Sequence, residues 1–351
     1  MFTLWSTMDG TRVTLKQIAA ALGLSVPTVS MALRGHREIA EATRAKVRAK
    51  AEELGYRPDP AMRALADYRT RQRSTSRRWD RIALLHDWAS EEAWRNHDFY
   101  GTWHAHLARV AADRGIEVEE HWLGAGAKKA DAVFRALRHR GITGLLLAPP
   151  GLTTEPREIG IPRGGFQIVT FGPGHLYREY HTVQFDFYEN LRLAWAKLRE
   201  KGHRRIGLLY QEHQGWRTGQ AWRAAYHIEK LEAGWKPGEI MPLMIPSAND
   251  PSASSAYHKW LRCGRYDAVI SSIYQIDGWN RELTDPPEVA FFNVRAPGQQ
   301  GIDLNLPQLI RSAFELLYVE MQQTLVERHD LPFRIHIPGR WVDGARTSVR
   351  Q

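Results

Sequence analysis

The chain has 351 residues, of which 43% are hydrophobic and 25% are charged. This is the balance of a soluble globular protein with room for two or three domains. No apolar run approaches the roughly 20 residues that a transmembrane helix needs, and the single cysteine, Cys263, excludes an intrachain disulfide. The first ten residues lack the pattern of a secretory signal. We therefore expect a cytoplasmic protein with no membrane partner.

The net charge of +9 is concentrated near the N-terminus. Residues 1–78 contain 15 lysines and arginines against 7 aspartates and glutamates, a net charge of +8, so the remaining residues carry only +1. A basic charge confined to less than a quarter of the chain is typical of a module that contacts phosphate groups. The alternative interpretation is a solvated basic tail.

Residues 14–34, TLKQIAAALGLSVPTVSMALR, predict two short helices joined by a tight turn. Thr14 and Gln17 have the spacing of a capping box at the start of the first helix. Gly23 permits the turn, and Ser25 can cap a second helix in which Pro27 occupies the first turn without losing a needed hydrogen bond. A helix-turn-helix in a basic segment indicates a module that presents one helix to the major groove of DNA.

A third helix is predicted from about Glu41 to Leu54, because Val47 and Ala51 recur at helical spacing and Gly55 follows. Three short helices would form a compact all-α headpiece. The helical pattern alone would also suit a generic three-helix bundle, and the basic charge favours DNA binding over that alternative.

The run VTLKQIAAALGLSVPTVSMALRG and the later run TRAKVRAKAEELGYRPDP resemble the headpiece of the lactose-repressor (LacI/GalR) family without gaps. The resemblance implies a helix-turn-helix DNA-binding headpiece over residues 12–59, with the recognition helix at residues 25–33. It places Val26, Pro27 and Met31 toward base edges. It also implies phosphate contacts by a set of hydroxyl-bearing residues: Thr14, Ser25, Thr28, Ser30 and Thr43.

Met31 departs from the family pattern, in which many members carry an arginine that can read guanine through O6 and N7. A methionine offers only apolar contact, for instance to a thymine methyl, and Pro27 has no donor. The contacts with base edges are then either more apolar than in most family members or made by Lys16 and Arg34 instead. A simple packing role for Met31 is an equally good interpretation.

By the same resemblance, residues 60–78 form a hinge helix and a basic linker. Leu65 stands where the family has a leucine that wedges open the central base step in the minor groove, at a cost that the bent, better-wrapped duplex offsets. Met62 replaces the small alanine that is usual at its position. The arginine-rich residues 69–78 form a polar linker, and a plain interdomain linker is the alternative interpretation.

From Arg81 onward, strand-like segments such as RIALLHDW, ITGLLLAPP, RIGLLYQ and DAVISSI alternate with helix-like ones. This alternation predicts parallel sheets with helices on both faces and a ligand site beyond the C-terminal ends of the strands. A weaker resemblance to the family implies that residues 79–351 form an effector-binding and dimerisation domain. That α/β domain would resemble periplasmic sugar-binding proteins, with two parallel-sheet subdomains, a cleft and three crossings near Asp186, Gly301 and Arg340.

At several ligand-binding positions of the family, this chain has a different type of residue. Sugar-binding members have an Asn-Asp pair where this chain has Ile273 and Tyr274, and an arginine where it has Trp222. A carboxylate that grips sugar hydroxyls is therefore missing, and we expect an effector that is more apolar or stacks on aromatic rings, or no effector at all. The candidate effector-binding residues are Asp87, Trp88, Phe99, Arg217, Trp222, Arg223, Tyr274 and Asp277.

The resulting hypothesis is a homodimeric repressor that binds a near-palindromic, double-stranded DNA operator and responds to a small-molecule effector of unknown identity. Two alternatives remain: an architectural DNA-binding protein without an effector, and a solute-binding module. An enzyme is disfavoured because residues 124–129 lack the third glycine of a dinucleotide loop, and because no Walker-type loop or His-Glu-x-x-His motif occurs. No cofactor or metal is expected.

Overall fold

The structure is a computed structural model that describes residues 13–33, 39–56, 81–124, 127–151, 160–162, 164–172, 177–236, 238–322 and 331–344. These residues form two compact units, the first made of residues 13–56 and the second of the residues from 81 onward. The predicted hinge and linker, which include Leu65, lie outside the described residues, and so does Arg34.

The first unit consists of the helices α1 (Leu15–Leu22), α2 (Val26–Leu33) and α3 (Glu41–Glu53). The predicted capping box of Thr14 and Gln17 is confirmed, and Gly23 ends α1 in the left-handed conformation with a φ of 63°. One face of each helix contributes to the buried core, which contains Ile18, Ala19, Val29, Ala32, Val47 and Ala51. The unit is therefore held together by small and medium-sized apolar side chains at the helix crossings.

The break between α1 and α2 turns the chain by 106°, an angle within the range of helix-turn-helix motifs. Among the described residues, no single helix is long and apolar enough to cross a bilayer. The bent pair of α1 and α2 reaches the required length and apolar composition only when the two helices are counted together.

The second unit contains two six-stranded sheets. The first sheet has the strand order β2-β1-β3-β4-β5-β11, and all neighbouring strands are parallel. Its strands are β1 (Arg81–His86), β2 (Glu117–Trp122), β3 (Gly144–Leu147), β4 (Gln167–Phe171), β5 (His181–Phe185) and β11 (Arg334–Ile337). Its connecting helices are α4 (Glu91–Arg95), α5 (Gly101–Ala112) and α6 (Ala127–His139). This sheet and its helices are the N-terminal subdomain.

The second sheet repeats the same arrangement with the order β7-β6-β8-β9-β10-β12, in which only the β10–β12 pair is antiparallel. Its strands are β6 (Ile206–Gln211), β7 (Leu243–Ile245), β8 (Ala268–Ser271), β9 (Glu288–Phe291), β10 (Gly301–Asp303) and β12 (Arg340–Val342). The remaining helices are α7 (Phe187–Glu200), α8 (Glu212–Arg217), α9 (Ala221–Glu232), α10 (Ala253–Gly264), α11 (Ile276–Asn280) and α12 (Leu306–Gln322). This second sheet, with α7 to α11, is the C-terminal subdomain.

Central strands such as β1, β3, β6 and β8 are buried on both faces, and this explains their nearly continuous apolar runs. In β1, Ile82 and Leu84 belong to the core cluster that contains Trp103 of α5, while Ala83 and Leu85 belong to the cluster on the opposite face. The prediction of parallel sheets covered by helices is therefore confirmed. The short helices α4, α8 and α11 were not predicted.

The chain passes between the two subdomains three times: at Asp186 between β5 and α7, between β10 and α12, and between β11 and β12. Asp186 caps α7 by accepting a hydrogen bond from the Glu189 amide at 3.1 Å. After the second crossing, α12 packs against β3, β4 and β5 of the N-terminal subdomain. The C-terminal ends of strands from both sheets consequently border one cleft, where such folds bind ligands.

Candidate functional site

The first candidate site is the exposed face of α2. Ser25 caps this helix, because its Oγ accepts a hydrogen bond from the Thr28 amide at 3.2 Å and lies 2.7 Å from the Thr28 hydroxyl. Directly after this cap, Val26 is 40% exposed and Pro27 is also exposed. An apolar pair at the start of a helix that points away from its own core is available for contact with another molecule.

The remaining candidate DNA-binding residues that the structure describes lie around α2. Thr14 and Lys16 are exposed at the start of α1, and Thr43 is half-buried in the first turn of α3. Thr28, Ser30 and Met31 are half-buried, whereas Val29 and Ala32 on the same helix are fully covered. The partial exposure of Met31 is compatible with both of its interpretations, base reading and packing.

The second candidate site is a cavity of about 490 Å³ in the second unit, within the size range of small-molecule sites. Its walls come from both subdomains. The N-terminal wall includes His97, Phe99, Tyr100, Trp103, Pro149 and Gln184. The C-terminal wall includes Gln211, His213, Gln214, Arg217, Trp222, Ser272, Tyr274, Phe292, Asn293 and Arg295. The lining residues cluster beyond the C-terminal ends of strands, as the fold class predicts.

Arg217 connects the two walls. This guanidinium, only 7% exposed, donates hydrogen bonds to the carbonyl oxygens of Pro150 and Gly151, the latter at 3.1 Å, and to the Tyr100 hydroxyl at 2.8 Å. Pro150 and Gly151 follow β3 of the N-terminal subdomain, while Arg217 ends α8 of the C-terminal subdomain. A single side chain therefore bridges the cleft from one subdomain to the other.

Aromatic rings form much of the cavity surface. Trp222 of α9 stacks on Phe292 with centroids 3.8 Å apart and planes inclined by 10°, and the edge of Phe187 meets the Trp222 ring at 5.9 Å. Tyr274 stacks on Phe291 at 5.2 Å, and its hydroxyl donates to the carbonyl oxygen of Asn293 at 2.5 Å. Burial raises the pKa of Tyr274 to about 12, against the opposing effect of the Arg295 charge. Tyr274 is therefore a neutral donor at physiological pH.

Two histidines of the lining are held in the neutral form. Burial, together with the charges of Arg217 and His97, lowers the pKa of His213 to about 4. Burial and the charge of Arg295 also lower the pKa of His97, although Asp98 opposes this shift. The Nδ1 atom of His97 accepts hydrogen bonds from the amides of Phe99 and Tyr100 at 3.2 and 3.4 Å. Its proton is therefore on Nε2.

Four of the eight candidate effector-binding residues line the cavity: Phe99, Arg217, Trp222 and Tyr274. Asp87 and Trp88 do not, because they anchor the segment after β3. The Asp87 carboxylate accepts from the Gly151 amide at 3.2 Å, and the Trp88 indole donates to the Pro149 carbonyl at 3.0 Å.

Arg223 and Asp277 also lie outside the lining. Arg223 follows Trp222 on α9, and consecutive helical residues point in directions about 100° apart. Asp277 is exposed on α11, where burial raises its pKa in spite of a hydrogen bond with Gln299. Among the described residues, no group of three or more His, Cys, Asp or Glu side chains could hold a metal ion.

Sequence reasoning missed His97, His213, Phe292 and Arg295. Two of these residues could have been found from their positions. His213 and Phe292 come within two residues of the ends of β6 and β9, where ligand-binding residues of parallel sheets concentrate. His97 and Arg295 lie in irregular segments between elements, and no short pattern marks them.

Residues 14–59 match the family model described as "Bacterial regulatory proteins, lacI family". The HTH-type transcriptional regulator AglR of Rhizobium meliloti (strain 1021) is 52% identical over 54 residues, 15% of each chain. The HTH-type transcriptional regulator RafR of Escherichia coli is 28% identical over 215 residues, 58% of this chain and 60% of that protein. Catabolite control protein A of Staphylococcus aureus (strain MRSA252) is 23% identical over 205 residues, 57% of this chain and 56% of that protein. This chain thus spans about three fifths of the length of RafR and of catabolite control protein A.

Two solved structures resemble this chain over nearly its whole length. The complex of the transcriptional regulator CelR with cellobiose has a TM-score of 0.56 and 21% sequence identity, covering 95% of this chain and 99% of that chain. The lac repressor dimer bound to operator and the anti-inducer ONPF has a TM-score of 0.53 and 16% identity, covering 95% and 98%. At these identities the likeness shows a shared fold.

Proposed function

We propose that this chain is a regulatory protein of the lacI type, a sequence-specific DNA-binding transcriptional regulator. The match of residues 14–59 to the lacI family model and the similarity to RafR and catabolite control protein A support this proposal. The observation that carries the proposal is the capped, exposed α2 within the module that matches the family over residues 14–59. This helix presents Val26 and Pro27 beyond its own core. A helix of this kind fits the major groove of DNA.

The operator is read by a dimer in this proposal. One small headpiece makes too few contacts for useful specificity, so two copies would bind a near-palindromic, double-stranded site. Thr14, Ser25, Thr28, Ser30 and Thr43 would contact or approach phosphates. Base edges would be read by Val26, Pro27 and Met31, with Lys16 and Arg34 as further donors, and Leu65 would act in the minor groove.

The cavity between the subdomains is the proposed effector site. An effector that binds one arrangement of the subdomains more tightly than another would shift their equilibrium, and this shift can couple the cavity to operator affinity by about 1–3 kcal/mol. We infer that such a protein acts in the cytoplasm as a repressor. Both sites would bind another molecule without changing it, and the proposal requires no enzymatic step and no cofactor.

Two other functions would use parts of the same structure. An architectural DNA-binding protein would need the headpiece but no effector, and the 490 Å³ cavity favours a responsive regulator over it. A solute-binding module would need only the second unit, and the DNA-binding module in the same chain argues against that function.

The direct test is selection of bound sites from random double-stranded DNA with the full-length chain. We expect a near-palindromic consensus, and we expect a variant lacking residues 1–78 to select none while remaining folded by circular dichroism. Recovery of the same consensus by the truncated variant, or no enrichment by the full chain, would contradict the proposal. Repeating the selection with a metabolite panel separates a responsive regulator from an architectural protein.

A further inference from the structure

The charged groups that line the cavity are all basic. They are Arg217 and Arg295, accompanied by the neutral histidines His97 and His213, and no aspartate or glutamate is among the described lining residues. Among the described carboxylates, Asp98, which is exposed beside His97, acts on a group of the lining by raising the pKa of that histidine. The cavity therefore offers a positive potential that no lining carboxylate balances.

Arg217 carries a buried charge without a counter-charge. Its partners are two carbonyl oxygens and one hydroxyl, all uncharged acceptors, and in the described part of the chain it forms no ion pair with a carboxylate. A buried guanidinium that is hydrogen-bonded but not paired keeps a large part of its desolvation penalty. An anion that enters the cavity would remove this penalty, so the free energy of binding would favour a negatively charged occupant.

Arg295 is the second cation, and its guanidinium is held by rings. The carbon Cζ lies 4.4 Å from the centroid of Tyr274 and 5.6 Å from that of Phe99. Within the residues that the structure describes, its side chain has neither a carboxylate partner nor a hydrogen-bond acceptor. An arginine has five N–H donors arranged in a fork that matches carboxylate and phosphate oxygens. The two aromatic contacts position this guanidinium while leaving its N–H groups available to an anion.

The positive charge of the cavity arginines also lowers the pKa of the two lining histidines. The charges of Arg217 and Arg295 both contribute to the lowered pKa of His97, and Arg217 contributes to that of His213. In the neutral form each ring has one N–H donor, and that of His97 is Nε2 because Nδ1 accepts two backbone hydrogen bonds. The lining therefore combines cationic donors with neutral donors, and the lining residues that the structure describes include no acidic group that would repel an anion.

We propose that the occupant of this cavity is a small organic anion, in which a carboxylate or phosphate binds between Arg295 and Arg217 and a ring-shaped body stacks on the aromatic wall. Trp222 and Phe292 stack on each other in that wall and are almost fully covered. The half-buried rings of Phe99 and Tyr100 lie in the same lining, and aromatic rings suit a planar or ring-shaped body. Amide side chains such as Gln184 and Asn293 lie in the same lining and can bind hydroxyl groups of that body. The inference rests on the proposed effector role of the cavity and adds the chemical class of the effector.

The test compares molecules that differ chiefly in charge, using calorimetric binding to the full-length chain without DNA. Three probe pairs are suitable: 4-hydroxybenzoate with 4-hydroxybenzamide, phenyl phosphate with phenol, and glucose 6-phosphate with glucose. In at least one pair we expect the anion to bind 10-fold more tightly or better. The pair that shows the preference distinguishes a carboxylate from a phosphate and an aromatic ring from a sugar ring.

Arg295→Gln should reduce the ratio of anion affinity to neutral-probe affinity toward one, because it removes the positive charge of an exposed residue that lies over Tyr274 and Phe99. Arg281→Gln removes the same charge from an exposed residue outside the cavity and should leave the preference unchanged. The inference is overturned if no anionic probe binds, if the neutral member of each pair binds as tightly, or if the preference survives in Arg295→Gln. Operator binding without any probe tests the proposed function separately, since it does not depend on the charge of the effector.

Discussion

The guanidinium of Arg217 donates a hydrogen bond to the carbonyl oxygen of Gly151 at 3.1 Å, across the cleft between the two subdomains. Gly151 is itself tied to β1, because its amide donates to the Asp87 carboxylate at 3.2 Å. A chain of two hydrogen bonds thus joins the end of α8 to the segment after β1. Any occupant that draws Arg217 away from these carbonyls would loosen the connection between the subdomains.

Arg217→Ala tests this connection. We expect the free energy of unfolding to fall by about 1–3 kcal/mol, since the acceptors of a charged hydrogen-bonding group are left without a partner. The amide of Gly151 should exchange with solvent faster, which hydrogen exchange with mass spectrometry can measure. Arg223→Ala, a change of the same kind outside the cavity lining, serves as the control. Unchanged exchange at Gly151 in Arg217→Ala would refute the bridging role.

Gly301→Ala should destabilise the C-terminal subdomain at the start of β10, the strand that precedes the second crossing. Gly301 has a φ of +141°, and a methyl group at this position would overlap the backbone carbonyl oxygen and amide nitrogen of Phe291 on the paired strand. Because backbone atoms cannot rotate away as side chains can, we expect a loss of more than about 2 kcal/mol, seen as a lower denaturant midpoint. Gly278→Ala is the control, since nothing lies within 4 Å of its added methyl. Equal midpoints for the two variants would contradict this account.

Glu288 should make stability depend on pH in the acid range. Burial alone would raise the pKa of this carboxyl group, but hydrogen bonds from Lys201 and Gln300 and the contact with His203 lower it to about 2 from an ordinary value of 4.5. A lowered pKa in the folded state means that the stabilisation is fully present above pH 4.5 and is lost as the pH falls toward 2.

Glu288→Gln should therefore lose less stability than the wild type between pH 4.5 and pH 2. The side chain is 33% exposed, so solvent screening limits the difference to about 1 kcal/mol or less, or roughly 2–4 °C in the midpoint of thermal unfolding. Glu212→Gln, at an exposed position at the start of α8, should follow the wild type. Parallel acid profiles for wild type and Glu288→Gln would remove Glu288 as a source of the pH dependence.

Met31→Arg should change which DNA sequences are selected. Met31 is half-buried on α2, and an arginine there could reach guanine O6 and N7 with a discrimination of about 1–3 kcal/mol. We expect a new preference for guanine at one position in each half-site. Ala49→Arg adds the same charge on the exposed side of α3 and should raise overall affinity without changing base preference. If Met31→Arg selects the wild-type sites, Met31 is a packing residue.

The helix-turn-helix could be predicted from the sequence because its determinants are local. The capping box joins Thr14 to Gln17, the turn depends on the positive φ of Gly23, and the cap of α2 joins Ser25 to Thr28. Each of these interactions spans three residues or fewer. The alternation of apolar strands with amphipathic helices likewise predicted parallel sheets, because burial on both strand faces leaves an apolar run in the sequence. The division into two subdomains came from the family resemblance.

The sequence by itself therefore determined the helix-turn-helix module and the α/β class of the second unit. It also predicted an effector site without a carboxylate for sugar hydroxyls at Tyr274. Only the tertiary structure decided which side chains share the cavity. Arg217 and Arg295 lie in one lining, whereas Asp87 and Trp88 form hydrogen bonds with the segment after β3. The physical reason is that the chain crosses repeatedly between two sheets. The lining residues therefore come from the ends of many separate strands, and residues that are neighbours in the cavity are far apart in the sequence.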